Sequence, residues 1–257
     1  MTRKQKATTT AWLIVIIAFL GGLALASAQT TVPPVIDVVM ADFGIGETDA
    51  GWLTSVFTIM GMITALPASW LLQRLGAKKI GVISLACCAI GCALGAFCTE
   101  FWMLLATRVI EGVGVGMIAV VGPAIISMWF PAEKRGLPMG VWGSWMMASQ
   151  TILFFFGGGL AANWGWQGVW WFVFILCVIA LVLYQWKVKE PDGDMPNYAE
   201  GEDPEEFHFG EGFKSGSTWV LTVCGLIFTF CCFGFATYIS LYWAQEFFAG
   251  DMNQSNW

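Results

Sequence analysis

The chain has 257 residues, 57% of them hydrophobic and only 12% charged, with a mean hydropathy of +0.69 and a net charge of −6. So few charges cannot cover the surface of a water-soluble domain of this length, and no nucleic acid is expected as a partner. The charges are also bunched, leaving charge-free runs from Ala11 to Ile36, Ala50 to Gln73, Ile80 to Thr99, Gly136 to Trp186 and Ser215 to Gln245. A membrane-spanning helix needs roughly 20 apolar residues, and lipid offers the backbone no partner outside its own helix. The sequence therefore predicts an all-α membrane protein with spans at about 11–36, 50–73, 79–98, 101–129, 137–162, 167–186 and 217–245.

The first span follows Arg3, Lys4 and Lys6 and contains Ala26-Ser27-Ala28, which together imitate a secretory signal with a small-residue cleavage site. Small residues are also common in packed membrane helices, and the remaining spans alternate correctly with this one in place. An uncleaved first span is expected. The third span and its ends hold Cys87, Cys88, Cys92 and Cys98, of which Cys88 and Cys92 share a helical face. A metal site would need further ligands nearby, and the one histidine, His208, lies in a loop, so these cysteines read as packing residues and no metal or cofactor is expected. The fourth span is apolar from Phe101 to Phe130 except for Arg108 and Glu111. The run from Gly136 to Trp186 is too long for one helix and divides at Asn163-Trp164-Gly165-Trp166-Gln167-Gly168, a polar, glycine-bearing turn with Trp at interface depth.

With the N-terminus in the cytoplasm, Arg3, Lys4, Lys6, Arg74, Lys78, Lys79, Lys134, Arg135, Lys187, Lys189 and Lys214 all fall on the inner side. Arg108 sits within a span, and no basic residue is left outside, which sets the expected orientation in the cell membrane. The polar stretch 187–216, acidic from Glu190 to Glu211 and broken by Pro191, Pro196 and Pro204, reads as a cytoplasmic tether without a core. It separates an N-terminal six-helix bundle, 1–186, from 217–257, the first helix of a second bundle. The outer segment Phe43-Gly44-Ile45-Gly46-Glu47-Thr48-Asp49-Ala50-Gly51-Trp52 has a loose counterpart in Phe248–Trp257, which implies a repeat broken off as an eighth helix begins. The expected fold is thus a six-helix bundle plus a seventh span, truncated, with the C-terminal half of the same protein as its partner.

Six spans, an acidic linker and a restarting repeat resemble the major facilitator superfamily. The stretch Ser69-Trp70-Leu71-Leu72-Gln73-Arg74-Leu75-Gly76-Ala77-Lys78-Lys79 is similar to the superfamily's signature between its second and third helices, with Ser69 and Gln73 in place of Gly and Asp. The resemblance implies a conformational latch formed by Gln73, Arg74, Gly76, Lys78 and Lys79, in which Gly76 permits the reversal and Gln73 caps a helix without supplying charge. Arg108-Val109-Ile110-Glu111-Gly112-Val113-Gly114-Val115-Gly116 resembles the signature of the fourth helix. Arginine at membrane depth costs about 2.5–3.5 kcal/mol on insertion scales, so Arg108 must face protein or a watery cavity. Glu111, three residues on, lies on the same face. Either Arg108 and Glu111 serve substrate or proton coupling, or they form a structural ion pair. Gly112, Gly114 and Gly116 let neighbouring helices approach.

The segments Trp129–Gly136 and Trp164–Trp171 resemble the superfamily's next two connections, and the second to fifth helices are similar to cyanate-permease-like and organic-anion carriers. Multidrug antiporters of the superfamily carry a Gly-Pro signature in the fifth helix that is missing between Gly140 and Gly159, and nitrate carriers bring an arginine into the second, which here has no charge. By the same resemblance the central cavity would be lined from Gln29, Thr30, Trp145, Ser149, Gln150, Tyr238, Tyr242 and Trp243. The implied function is alternating-access transport of a small solute, an anion, across the lipid bilayer, driven by a proton or counter-solute. A non-transporting sensor or a half-transporter module needing a partner bundle is the alternative. A membrane enzyme is not expected, because no catalytic pair is visible.

Overall fold

The computed structural model describes residues 3–189 and 216–247, without the side chains of 3–8, 132, 229, 232–234 and 236–247. Helix α1 (Arg3–Thr30) ends where Pro33 and Pro34, which lack a backbone N–H, begin a 3-10 turn (Pro33–Val35). The first span is therefore shorter at its far end than the expected limit near residue 36. A short helix α2 (Ile36–Phe43) follows and stops at Gly44, whose φ of 63° is left-handed and whose N–H donates to Met40 O.

Helix α3 (Glu47–Leu75) runs to Gly76, where a φ of 79° turns the chain into α4 (Ala77–Ala96). Helix α5 (Phe101–Trp129) contains Pro123, and α3 contains Pro67; neighbouring helices make such prolines tolerable within a membrane bundle. The end of α5 is capped by Arg135, whose Nε donates to Phe130 O at 2.8 Å and whose Nη2 donates to Ser127 O at 2.9 Å.

The fifth span differs from the single helix expected at 137–162. It consists of α6 (Gly136–Gly143) and α7 (Trp145–Trp164), with a break at Ser144. The Ser144 hydroxyl donates to Val141 O at 2.8 Å, and its N–H is shared between Gly140 O and Val141 O, so the local bonds compete with the regular ladder. At the expected turn, Gly165 with φ 67° leads into α8 (Gln167–Lys187).

Six of these segments are long and apolar enough to cross a membrane: Thr9–Thr30, Glu47–Leu75, Ala77–Ala96, Phe101–Trp129, Gly136–Trp164 and Gln167–Lys187. No strand occurs among the described residues. Helices α1, α4 and α5 form the centre of the bundle, with more than half of their apolar windows buried, whereas α3 and the α6–α7 span bury about a fifth. The apolar side chains that α3 and α7 leave exposed, Met62, Leu66, Phe155 and Phe156 among them, suit a hydrocarbon environment. The chain divides into two compact units, Met1–Asn197 and Tyr198–Trp257. The second contributes α9 (Gly216–Phe247), an apolar helix with exposed Trp219, Leu221 and Phe228. Most of the acidic stretch and the whole segment 248–257 lie outside the described residues.

Candidate functional site

The two charges of the fourth span meet at the centre of the first unit. Arg108 and Glu111, one helical turn apart on α5, are fully buried and form an ion pair from Nη1 to Oε2. The guanidinium also reaches two other helices. Its Nη2 donates to Ala28 O at 2.8 Å, its Nη1 to Thr31 Oγ1 at 3.1 Å, and its Nε to Leu53 O at 3.3 Å. Arg108 therefore ties the end of α1 and the start of α3 to α5. Aromatic faces enclose what remains: the Phe57 and Trp170 ring centroids lie 4.7 and 5.7 Å from its central carbon. A planar group with five donors suits this three-helix junction.

Glu111 is held less completely. Its Oε1 has no hydrogen-bond partner, although buried, and neither has Trp170 Nε1. Trp170 and the Cys92 thiol both face the carboxylate without either closing a bond of standard geometry to Oε1. Space for this group comes from α4: a Cβ on Gly91 would strike Glu111 Cγ, and one on Gly95 would lie 2.6 Å from the Trp170 ring.

The glycines of α5 face two neighbours in turn. A Cβ on Gly112 would lie 2.5 Å from Phe57 O of α3, one on Gly114 2.7 Å from Ser84 O of α4, and one on Gly116 would collide with Gly61 O of α3. Ser84 Oγ donates to Gly114 O at 2.6 Å across the α4–α5 seam.

Two of the expected cavity-lining residues pack between helices of the first unit. Ser149 is fully buried in the seam between α7 and α1, with its hydroxyl donating to Ser27 Oγ at 3.2 Å. Trp145 is buried as well and stacks on Trp142 with ring centroids 5.2 Å apart, both rings lying against Gly22 of α1. Small residues in α1 open this seam, and sequence spacing alone does not show which side of α7 it takes. Gln29 and Gln150 are half-buried, and Thr30 spends its hydroxyl on Ala26 O at 2.9 Å. The side chains of Tyr238, Tyr242 and Trp243 lie outside the described residues.

In the α3–α4 turn, Gln73, Arg74 and Lys79 are exposed and Lys78 is half-buried. Arg74 lies over the Trp70 ring at 4.1 Å. No side chain caps the start of α4; Gly76, at the cap position, brings only its backbone. Thr31, Phe57 and Trp170 were not expected at the site: none carries a charge, Thr31 and Phe57 fall in no motif, and Trp170 falls only in the segment resembling a connection between helices. The sequence reading paired Cys88 with Cys92 but had no means of adding Cys177, which α8 brings beside them.

An all-helical bundle with an ion pair sealed in its centre defines a polytopic membrane protein. The chain belongs to the Major Facilitator Superfamily, which it matches over residues 11–254. It is 28% identical over 214 residues to an uncharacterized MFS-type transporter of Mycobacterium tuberculosis, covering 81% of this chain and 35% of that one. Over 151 residues it is 30% identical to the cyanate transport protein CynX of Escherichia coli, covering 58% of this chain and 36% of the relative. Among solved structures, a bacterial homolog of the human lysosomal transporter Spinster, inward-facing and unoccupied, superimposes with a TM-score of 0.78 at 17% identity, over 99% of this chain and 59% of the other. The chain thus spans roughly a third of the relatives' length and somewhat over half of that structure's.

Proposed function

We propose that this chain is the front portion of a secondary active transporter that moves a small anion by alternating access, with Glu111 as the proton-coupling group. The observation that carries the reading is the asymmetry of the buried pair. Arg108 is bound on several sides by protein, whereas Glu111 keeps one carboxylate oxygen without a partner. A buried, half-satisfied carboxylate beside a fixed guanidinium can take up and release a proton as the helices around it shift. Protonation of Glu111 dissolves the ion pair and leaves Arg108 held by Ala28, Thr31 and Leu53, which alters how α1 and α3 are fastened to α5. One proton moved across 100 mV supplies about 2.3 kcal/mol, enough to bias such a packing change. Arg108 acts here through Glu111; a solute-binding role has less support, because the guanidinium's partners are already protein groups.

The anion assignment rests on the resemblance of the second to fifth helices and on the cyanate transport protein among the relatives. Orientation follows the basic residues, with the N-terminus, Lys78 and Lys134 in the cytoplasm. The C-terminal half of the carrier supplies the second bundle.

The test uses the full-length carrier in proteoliposomes, with labelled cyanate and a dicarboxylate as anions and a lipophilic cation as comparison. An imposed acid gradient drives anion accumulation by the wild type. Glu111→Gln keeps exchange between internal and external solute but loses accumulation under the gradient. Gradient-driven accumulation by Glu111→Gln equal to wild type removes Glu111 from coupling, and transport of the cation alone overturns the anion assignment.

A further inference from the structure

We propose that Cys88, Cys92 and Cys177 form a three-sulfur site for a soft monovalent metal ion, copper(I) being the biological candidate. Cys88 and Cys92 stand one turn apart on α4, and α8 brings Cys177 against them. The Sγ atoms of Cys88 and Cys177 are 3.6 Å apart, and all three sulfurs lie within 4.8 Å of one another. All three are free thiols and all are buried. A metal–sulfur bond of about 2.3 Å places the sulfurs of a trigonal site about 4.0 Å apart. The Cys88–Cys177 separation is about 0.4 Å under that spacing, and no pair exceeds it by more than about 0.8 Å, so small side-chain adjustments would let the three sulfurs meet one ion.

The donor set selects the ion. Three sulfurs without nitrogen or oxygen favour copper(I) over magnesium, calcium or manganese. Zinc takes four ligands in a structural site, and the cluster of close donor atoms contains three. Glu111 faces Cys92 but is not one of the close donor atoms. Each sulfur that coordinates as thiolate releases one proton, so loading weakens as pH falls.

Placement gives the site a structural role. The α4–α8 contact is already close elsewhere: a Cβ on Gly81 would collide with the Tyr184 ring, and the Tyr184 hydroxyl donates to Ala77 O at 3.3 Å. A bound ion adds a further tie between the two helices and fastens α8 into the bundle.

The reduced 257-residue chain in detergent is loaded with copper(I) kept reduced by ascorbate and is then challenged with a copper(I) chelator. Wild type and Cys87→Ser, whose target lies outside the trio, retain a single equivalent. Cys88→Ser, Cys92→Ser and Cys177→Ser each fall to the level of the triple variant. Equal retention by wild type and the triple variant overturns the site and leaves the cysteines as packing residues; retention that survives all three single changes does so too. X-ray absorption on the loaded wild type needs no variant: a shell of three sulfurs at about 2.3 Å is expected, and nitrogen or oxygen neighbours refute the assignment.

Discussion

The Arg108–Glu111 pair and the α3–α4 turn both read in the sequence as charged signatures, yet the fold puts them in opposite physical situations. At the pair, every charge is out of water and each partner is fixed by the other. At the turn, Arg74 and Lys79 are exposed, and Arg74 lies over the Trp70 ring. Breaking a buried pair by removing one partner costs about 3–5 kcal/mol, whereas an exposed charge contact contributes about 0–1 kcal/mol. Charge in the core therefore ties three helices together, and in the proposed orientation charge at the turn bears mainly on which way the bundle faces.

The largest effect is expected at Arg108. Arg108→Met strands Glu111 and frees the carbonyls of Ala28 and Leu53, and should lower unfolding stability in detergent by about 3–5 kcal/mol. The double change Arg108→Met with Glu111→Leu removes both charges and should regain most of that loss, because a buried pair replaced by apolar groups is often neutral. Thermal melts followed by size-exclusion chromatography measure both. Recovery of fold in the double variant with transport still absent separates the structural from the coupling role of the pair. Melting of the single variant with wild-type stability ends the contrast drawn between core and turn.

An intermediate effect is expected at the α5 glycines. A Cβ on Gly116 meets the α3 backbone at Gly61 O and, at 3.1 Å, Ala65 N, so Gly116→Ala must push two helices apart. Overpacking of this kind costs about 1–3 kcal/mol. Gly140→Ala, where no atom lies within 4 Å of the added carbon, should be neutral or slightly stabilising. Equal melts for the two would mean that α3 can yield at no cost.

Much of the fold was legible because lipid enforces it. Charge-free runs gave five of the six spans, the apolar run around Arg108 and Glu111 gave the other, and Gly165 marked the α7–α8 turn. Breaks set by local bonding were not visible in composition: Ser144 divides the fifth span with its own hydroxyl, and Pro33 shortens the first. The site was half legible. A buried arginine announces itself and its neighbour at three residues, but its carbonyl partners at Ala28 and Leu53 carry no signature, since any residue has a carbonyl. Facing was the least legible property. Ser149 and Trp145 turn into the α1 seam because Ser27 and Gly22 leave room there, a fact of pairwise packing that one helix cannot disclose. Cys177 stands apart in the sequence from the pair it joins, and only the α4–α8 contact brings the three together.

The smallest effect is expected in the turn itself. Arg74→Ala removes the contact with the Trp70 ring, which at an exposed site is worth about 0.5–1 kcal/mol or less, so the melt should shift little. In the proposed orientation the same change takes a positive charge from the cytoplasmic membrane face, whose anionic lipids attract each basic residue by about 1 kcal/mol. Lys78 and Lys79 remain beside it, so the single variant should insert as wild type does. Arg74→Ala combined with Lys78→Ala and Lys79→Ala strips the α3–α4 turn of all its basic residues and should produce a fraction of chains with that turn on the opposite side. Accessibility of an introduced cysteine at Gln73 to a membrane-impermeant thiol reagent reads the fraction directly. An unchanged labelling pattern in the triple variant would show that Lys134, Arg135 and the N-terminal basic residues set the topology without the turn.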